Sequence, residues 1–95
     1  MSGDEKASAG DDDRVPIETG AVWPADAADV EEGYVVNWFA REGRSLDAGE
    51  TVCEIQIEKV SVDVPTPVAG TLVDIVVAEG DVCGQNETLG WIQPG

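Results

Sequence analysis

GYVVNWFAREGRSLDAGETVCEIQ, residues 33–56, lies without a gap over GTLVDIVVAEGDVCGQNETLGWIQ, residues 70–93. Gly33 falls on Gly70, Val36 on Val73, and Glu42-Gly43 on Glu79-Gly80. Glu50-Thr51 falls on Glu87-Thr88, and Ile55-Gln56 on Ile92-Gln93. About a third of the aligned positions are identical, which marks an internal duplication. Each copy reads strand, Glu-Gly turn, short loop, strand. Polar Asn37 and Asp74 alternate with Val36, Trp38, Val73 and Ile75, a pattern that sets those four on the inward face. One half alone exposes its apolar side to water, whereas two halves packed together close a core. No segment carries a sustained i, i+3, i+4 apolar pattern. The expected fold class is therefore all-β: a flattened barrel-sandwich of two antiparallel sheets with pseudo-twofold symmetry, each sheet of about four strands. Trp38 and Trp91 are expected as core fillers.

The segment joining the two copies, CEIQIEKVSVDVP, alternates apolar residues as Ile55 and Ile57, then Val60, Val62 and Val64. The alternation changes phase once, at Glu58-Lys59. A two-residue loop there pairs Ile57 with Val60, Gln56 with Ser61 and Ile55 with Val62, and puts every apolar side chain on one face. Neither loop residue is Gly or Asn, so a type I turn without positive φ is expected. The same register sets Glu54 opposite Asp63, a mildly unfavourable like-charge pair. Lys59 then stands at an exposed tip, and it is the only lysine after Lys6. An exposed alkylammonium is a poor nucleophile at neutral pH. Its acylation needs an enzyme that delivers an activated donor and reads the shape of the tip, and amide formation would remove the charge.

Outward from this centre, residues 1–14 are Gly, Ser, Ala and acid with almost no apolar content, and are expected as a disordered tail before a domain over 15–95. Ninety-five residues suffice for one domain. Twenty acidic against five basic residues, net −15, leave no basic patch for a nucleic-acid backbone. Such a surface reads as that of a halophile, compatible with an acidic docking face for a basic partner. There is no apolar stretch of membrane-spanning length, and the acidic N-terminus is unlike a secretory signal, so a cytoplasmic, membrane-free protein is expected. Cys53 and Cys83 form no CxxC pair, and the chain has no histidine to complete a metal site or serve as a general base. Free, buried thiols and no catalysis of its own are the expectation.

The run Glu54-Ile-Gln-Ile-Glu-Lys59-Val-Ser-Val-Asp-Val-Pro65, followed by Ala69-Gly70-Thr71-Leu72, resembles the lipoyl attachment domains of 2-oxoacid dehydrogenase complexes. Glu32-Gly33-Tyr-Val-Val-Asn-Trp38, Glu42-Gly43 and Ala48-Gly49-Glu50-Thr51 match the first half of that family, and Val22-Trp23-Pro24 sits where its first strand ends. The resemblance covers residues from about 15 to 93. It implies lipoate in amide linkage to Lys59, with Glu58 and Val60 flanking the acceptor as recognition residues and Gly70 as the turn residue opposite the tip. It implies as partners a lipoate–protein ligase or lipoyl transferase, a thiamine-dependent 2-oxoacid decarboxylase, an acyltransferase and a dihydrolipoyl dehydrogenase. The chemistry there belongs to the cofactor, and the protein is a non-catalytic mount.

Gln56-Ile57-Glu58-Lys59-Val60 departs from the commonest family run, Glu-Thr-Asp-Lys-Ala, by keeping the acid before lysine in a longer form and losing a carboxylate and a hydroxyl. With no linker or catalytic domain in these residues, a free-standing carrier is expected. A biotin carrier shares the fold, but its acceptor lysine normally lies between two methionines, and the only methionine here is Met1. A glycine-cleavage carrier usually has a longer chain with extra helices. An unmodified structural or interaction domain is the alternative from a different class.

Overall fold

The computed structural model describes residues 13–95, so the tail expected over 1–14 lies, up to residue 12, outside the described residues. Eight strands follow in chain order: β1 (Val15–Glu18), β2 (Glu32–Trp38), β3 (Ser45–Leu46), β4 (Thr51–Ile57), β5 (Val60–Pro65), β6 (Gly70–Ile75), β7 (Val82–Gly84) and β8 (Thr88–Pro94). Single 3-10 turns at Thr19–Ala21 and Ala25–Ala27 interrupt the connection from β1 to β2. The strands form two four-stranded antiparallel sheets, ordered β5-β4-β2-β7 and β1-β8-β6-β3. The all-β sandwich expected from the duplication is the fold observed. No helix among the described residues is long and apolar enough to cross a membrane.

The repeat maps β2, β3 and β4 onto β6, β7 and β8, and one sheet order onto the other. The short strands are exchanged: β3 of the first copy pairs with β6 of the second, and β7 of the second pairs with β2 of the first. Buried residues come in related pairs, Val35 with Leu72, Val52 with Leu89, Ile55 with Ile92, and Ala40 with Val77. Side chains from both sheets thus fill one dry layer, which is the chief source of stability in a sandwich.

Burial corrects part of the alternation. Val35 and Leu72 are fully buried, whereas Val36 is exposed and Val73 only partly covered. The reason is a β-bulge at each site, between Val35 and Asn37 and between Leu72 and Asp74, which inserts one residue and reverses the phase. Trp38 and Ile75, beyond the bulge, pack against the core as expected. Trp91 does not point there: it is next to buried Ile92 in extended backbone and pairs with Pro16 and Asp74, so its ring lies on the outer face.

A bulge leaves backbone donors out of register, and the Glu-Gly motifs supply their partners. The Trp38 N–H donates to Glu79 Oε2 at 2.8 Å, and the Ile75 N–H donates to Glu42 Oε2 at 2.9 Å, each carboxylate reaching from the opposite copy. The glycines that follow have φ +95° (Gly43) and +88° (Gly80), a conformation costly with a side chain. Their N–H groups donate to Leu72 and Val35 carbonyls, both at 2.7 Å. Gly70, expected in a turn, instead opens β6 and lies against the Gln93 carbonyl, as Gly33 lies against that of Gln56. A Cβ at Gly33 would come within 2.6 Å of that oxygen, so close approach is what fixes glycine there.

Cys53 and Cys83 are free and buried. Burial pushes the Cys53 thiol up to about 12, with Cys83 adding in the same direction. Cys83 is also raised, first by burial and then by Glu87, against a lowering hydrogen bond from the Gly33 backbone. The folded state therefore holds these protons to higher pH than the unfolded chain. Stability is expected to be complete below about pH 9 and to fall as pH rises towards 12, read from urea midpoints. A thiol reagent at pH 8 should titrate neither cysteine in the native protein and both in denaturant. Glu42→Ala and Glu79→Ala should each cost about 1 kcal/mol by urea unfolding, with the Gln variants milder because an amide oxygen still accepts.

Candidate functional site

The β4–β5 hairpin has the register that the alternation predicts: Ile57 faces Val60, Gln56 faces Ser61, Ile55 faces Val62 and Glu54 faces Asp63. Glu58 and Lys59 remain as the two loop residues. Both are exposed, and Val60 beside them is half-exposed, while Ile57 beneath the turn is fully buried. No hydrogen bond or ion pair to the Lys59 ammonium is made among the described residues. The repulsion expected between Glu54 and Asp63 is eased by Asn37, whose Nδ2 donates to Glu54 Oε1 at 3.2 Å.

The turn differs from the type I expected. Glu58 has φ +56°, the only non-glycine residue among those described with positive φ, and Lys59 does not share it. Positive φ at the first loop position alone is the sign pattern of a type II′ turn, whose twist matches that of the flanking strands. Strand twist has overridden local preference, at a cost of about 1–2 kcal/mol for a residue with a Cβ. Gln56 offsets some of this by donating its Nε2 to the Glu58 carbonyl at 2.9 Å, which braces the turn from the outer face of the sheet.

The structure also brings to the tip a segment that the sequence pattern left as plain loop. Residues 24–30 run beside the hairpin, and a groove of about 380 Å³ separates them, lined by Pro24, Asp26, Asp29 and Val30 on one side and Ile57 and Lys59 on the other. The segment is pinned by Trp23 Nε1 donating to the Ala27 carbonyl (3.0 Å) and by Gln85 Nε2 donating to the carbonyls of Ala28 (2.7 Å) and Val30 (2.6 Å). Its signal in the sequence is a tryptophan and proline placed just before an Asp-rich turn. Asp26, Asp29 and Glu58 line the same groove as Lys59 and make its lining acidic. No group of three or more His, Cys, Asp or Glu side chains suited to a metal ion is present among the described residues. Chemically, the arrangement presents an exposed primary amine at the mouth of this groove, the only lysine amine among the described residues.

A family model described as "Biotin-requiring enzyme" matches residues 22–92. The dihydrolipoyllysine-residue succinyltransferase component of the 2-oxoglutarate dehydrogenase complex of Bartonella vinsonii subsp. berkhoffii is 39% identical over 66 residues, 70% of this chain and 16% of that protein. The dihydrolipoyllysine-residue acetyltransferase component of the pyruvate dehydrogenase complex of Staphylococcus aureus is 36% identical over 53 residues, 56% of this chain and 12% of that protein. The chain thus spans only a small part of the length of the curated relatives it matches. Among solved structures, the lipoyl domain of the 2-oxoglutarate dehydrogenase complex of Azotobacter vinelandii superposes with a TM-score of 0.61 at 26% identity, covering 78% of this chain and 98% of that one. A single-chain, multi-domain long-chain acyl-CoA carboxylase shares the fold, with a TM-score of 0.69 at 22% identity over 87% of this chain and 7% of its own.

The strained turn gives its own test. Glu58→Asn, which tolerates positive φ, should hold or raise stability by up to about 1 kcal/mol, whereas Glu58→Val should lower it by about 1 kcal/mol or more. Urea midpoints at unchanged slope would report both.

Proposed function

Because the chain belongs to the biotin/lipoyl attachment family, we propose that it acts as a lipoyl carrier whose acceptor is the Lys59 amine. The observation that carries this reading is the position of Lys59: the second residue of a two-residue loop, exposed, without a polar partner among the described residues, and at the bend between two matching halves. Those surroundings fit a group held in amide linkage, since an attached chain leaves the turn into solvent and displaces nothing. Lipoate is favoured over biotin by the neighbours Glu58 and Val60, where a biotin carrier has methionines, and by relatives named for a dihydrolipoyllysine residue.

In attachment, the Lys59 nitrogen in its neutral form would add to the acyl carbon of an activated donor delivered by the modifying enzyme. The N–C bond would form as the bond from that carbon to the donor's leaving group breaks, and the proton from nitrogen would pass to a base of that enzyme. Glu58 occupies the strained position of the turn that enzyme would meet, and Gln56 braces the carbonyl preceding Lys59. The bound dithiolane supplies the carriage of acyl groups and electrons, a chemistry that none of the side chains here has. Partners on this reading are a lipoate–protein ligase or lipoyl transferase, a thiamine-dependent 2-oxoacid decarboxylase, an acyltransferase and a dihydrolipoyl dehydrogenase. The domain itself is a substrate for them and catalyses nothing.

The intact mass of protein from its native host should exceed the sequence mass by one lipoyl group, mapped to Lys59. Lys59→Arg should abolish labelling while leaving the urea midpoint within about 0.5 kcal/mol of the parent, as for other exposed positions. A biotin-sized increment would transfer the domain to carboxylase chemistry, and label persisting in Lys59→Arg would place the acceptor elsewhere.

A further inference from the structure

The duplication contains its own control. On the outer face of the lysine-bearing sheet, Val82, Tyr34, Gln56 and Ser61 stand directly opposite one another in turn, a straight row across all four strands. The row is one residue from the Ile57–Val60 pair that closes the turn. Its side chains point outward, because their strand neighbours Cys83, Gly33 and Ile57 are buried. Tyr34 is 45% exposed and Val82 57%. In the other sheet the same register gives Ser45 opposite Thr71 and Thr71 opposite Gln93. Gln56 thus has an identical mate in Gln93, while Tyr34 and Val82 are replaced by a threonine and a serine.

Folding does not require an apolar pair at this place, since the same architecture is built next door with two hydroxyls. An aromatic–β-branched cross-strand pair adds to the stability of a sheet, but the sheet without the lysine manages without it. The apolar pair is confined to the sheet that carries the lysine, and to the row beside the turn. Its surround is acidic: Glu32 shares β2 with Tyr34, Asp81 adjoins Val82, Glu54 and Asp63 form the next outward pair, and Glu58 is in the turn. An apolar centre with a charged rim is the anatomy of a protein contact, and a rim of one sign selects a partner of the other.

We propose that the Val82–Tyr34–Gln56 row is the docking surface for the enzyme that forms the amide on Lys59, engaging it through an apolar contact within a basic rim. This rests on the reading of Lys59 as acceptor. An enzyme that builds the amide must draw the lysine nitrogen itself into its centre, so it necessarily covers the surface next to the turn. An enzyme that works on the far end of a long arm has no such need. The row is small, as suits a partner that must release its product.

The test grafts the control row onto the lysine-bearing sheet. Tyr34→Thr/Val82→Ser takes residues that this fold already accepts at the equivalent places, and Ser45→Val/Thr71→Tyr makes the reverse graft in the other sheet. With a lipoate–protein ligase, lipoate and ATP, the first variant should show a KM for the carrier raised at least about fivefold at a kcat within twofold. The reverse graft should match the parent. As a measure of docking apart from chemistry, Lys59→Arg should inhibit labelling of the parent, and Lys59→Arg combined with Tyr34→Thr/Val82→Ser should not. An unchanged KM in the first variant, or equal inhibition by both Lys59→Arg proteins, overturns the proposal, and so does normal labelling coupled to impaired turnover by the decarboxylase. A parent that takes no label at all overturns the acceptor reading as well, which sets the two failures apart.

Discussion

A pair of exchanged carboxylates ties the two copies of the repeat together. Each copy of the repeat kinks its first strand at a bulge, and each kink turns an N–H away from its ladder. Glu42 accepts from Ile75 and Glu79 accepts from Trp38, so each copy completes the backbone bonding of the other. A donor left unpaired at such a place costs free energy comparable to a lost hydrogen bond. The bulges in turn set which valine faces inward, and the exchanged strands β3 and β7 close each sheet with material from the opposite copy. Neither half has a complete sheet without its mate, and the single dry core follows from that.

Much of this was legible in the chain. The residues repeated identically are mostly those that hold the fold together. Glu42 and Glu79 make the exchange, Gly43 and Gly80 take positive φ, Gly33 and Gly70 lie against a carbonyl, and Ile55 and Ile92 fill the core. Glu50 and Glu87 accept from the backbone of Asp47 and Gly84 in related brackets. The hairpin register was readable because period-two alternation admits one phase change, and only one placement keeps Glu58 and Lys59 out of the core. What could not be read was where local preference yields to its surroundings. A bulge adds a residue without altering composition, so Val36 and Val73 looked inward-facing. Sheet twist, a property of paired strands, put Glu58 at positive φ where its own chemistry argues against it. The groove wall at residues 24–30 depends on Gln85, far away in the chain, and has no periodicity to betray it.

Identity between the copies marks structure, and difference marks the site. Buried residues mostly have buried mates, and the exception beside the turn is instructive: Ile57 is fully covered, while the residue related to it is the exposed Pro94. The symmetry fails where the first copy continues into a tight hairpin. The lone amine, the strained carboxylate residue before it, the bracing glutamine and the groove all gather at that one break.

A two-residue loop closed over a buried isoleucine has no slack of its own. The apex is therefore a fixed bearing, with no flexible rope between it and the sheet. A group joined to the Lys59 amine would sweep a cap-shaped volume ahead of the turn, its radius set by the methylenes of the side chain and by the group's own length, its rear blocked by the body of the domain. Any longer travel would have to come from rotation of the whole body, so aim would be decided by how the domain is held and reach by what hangs from it.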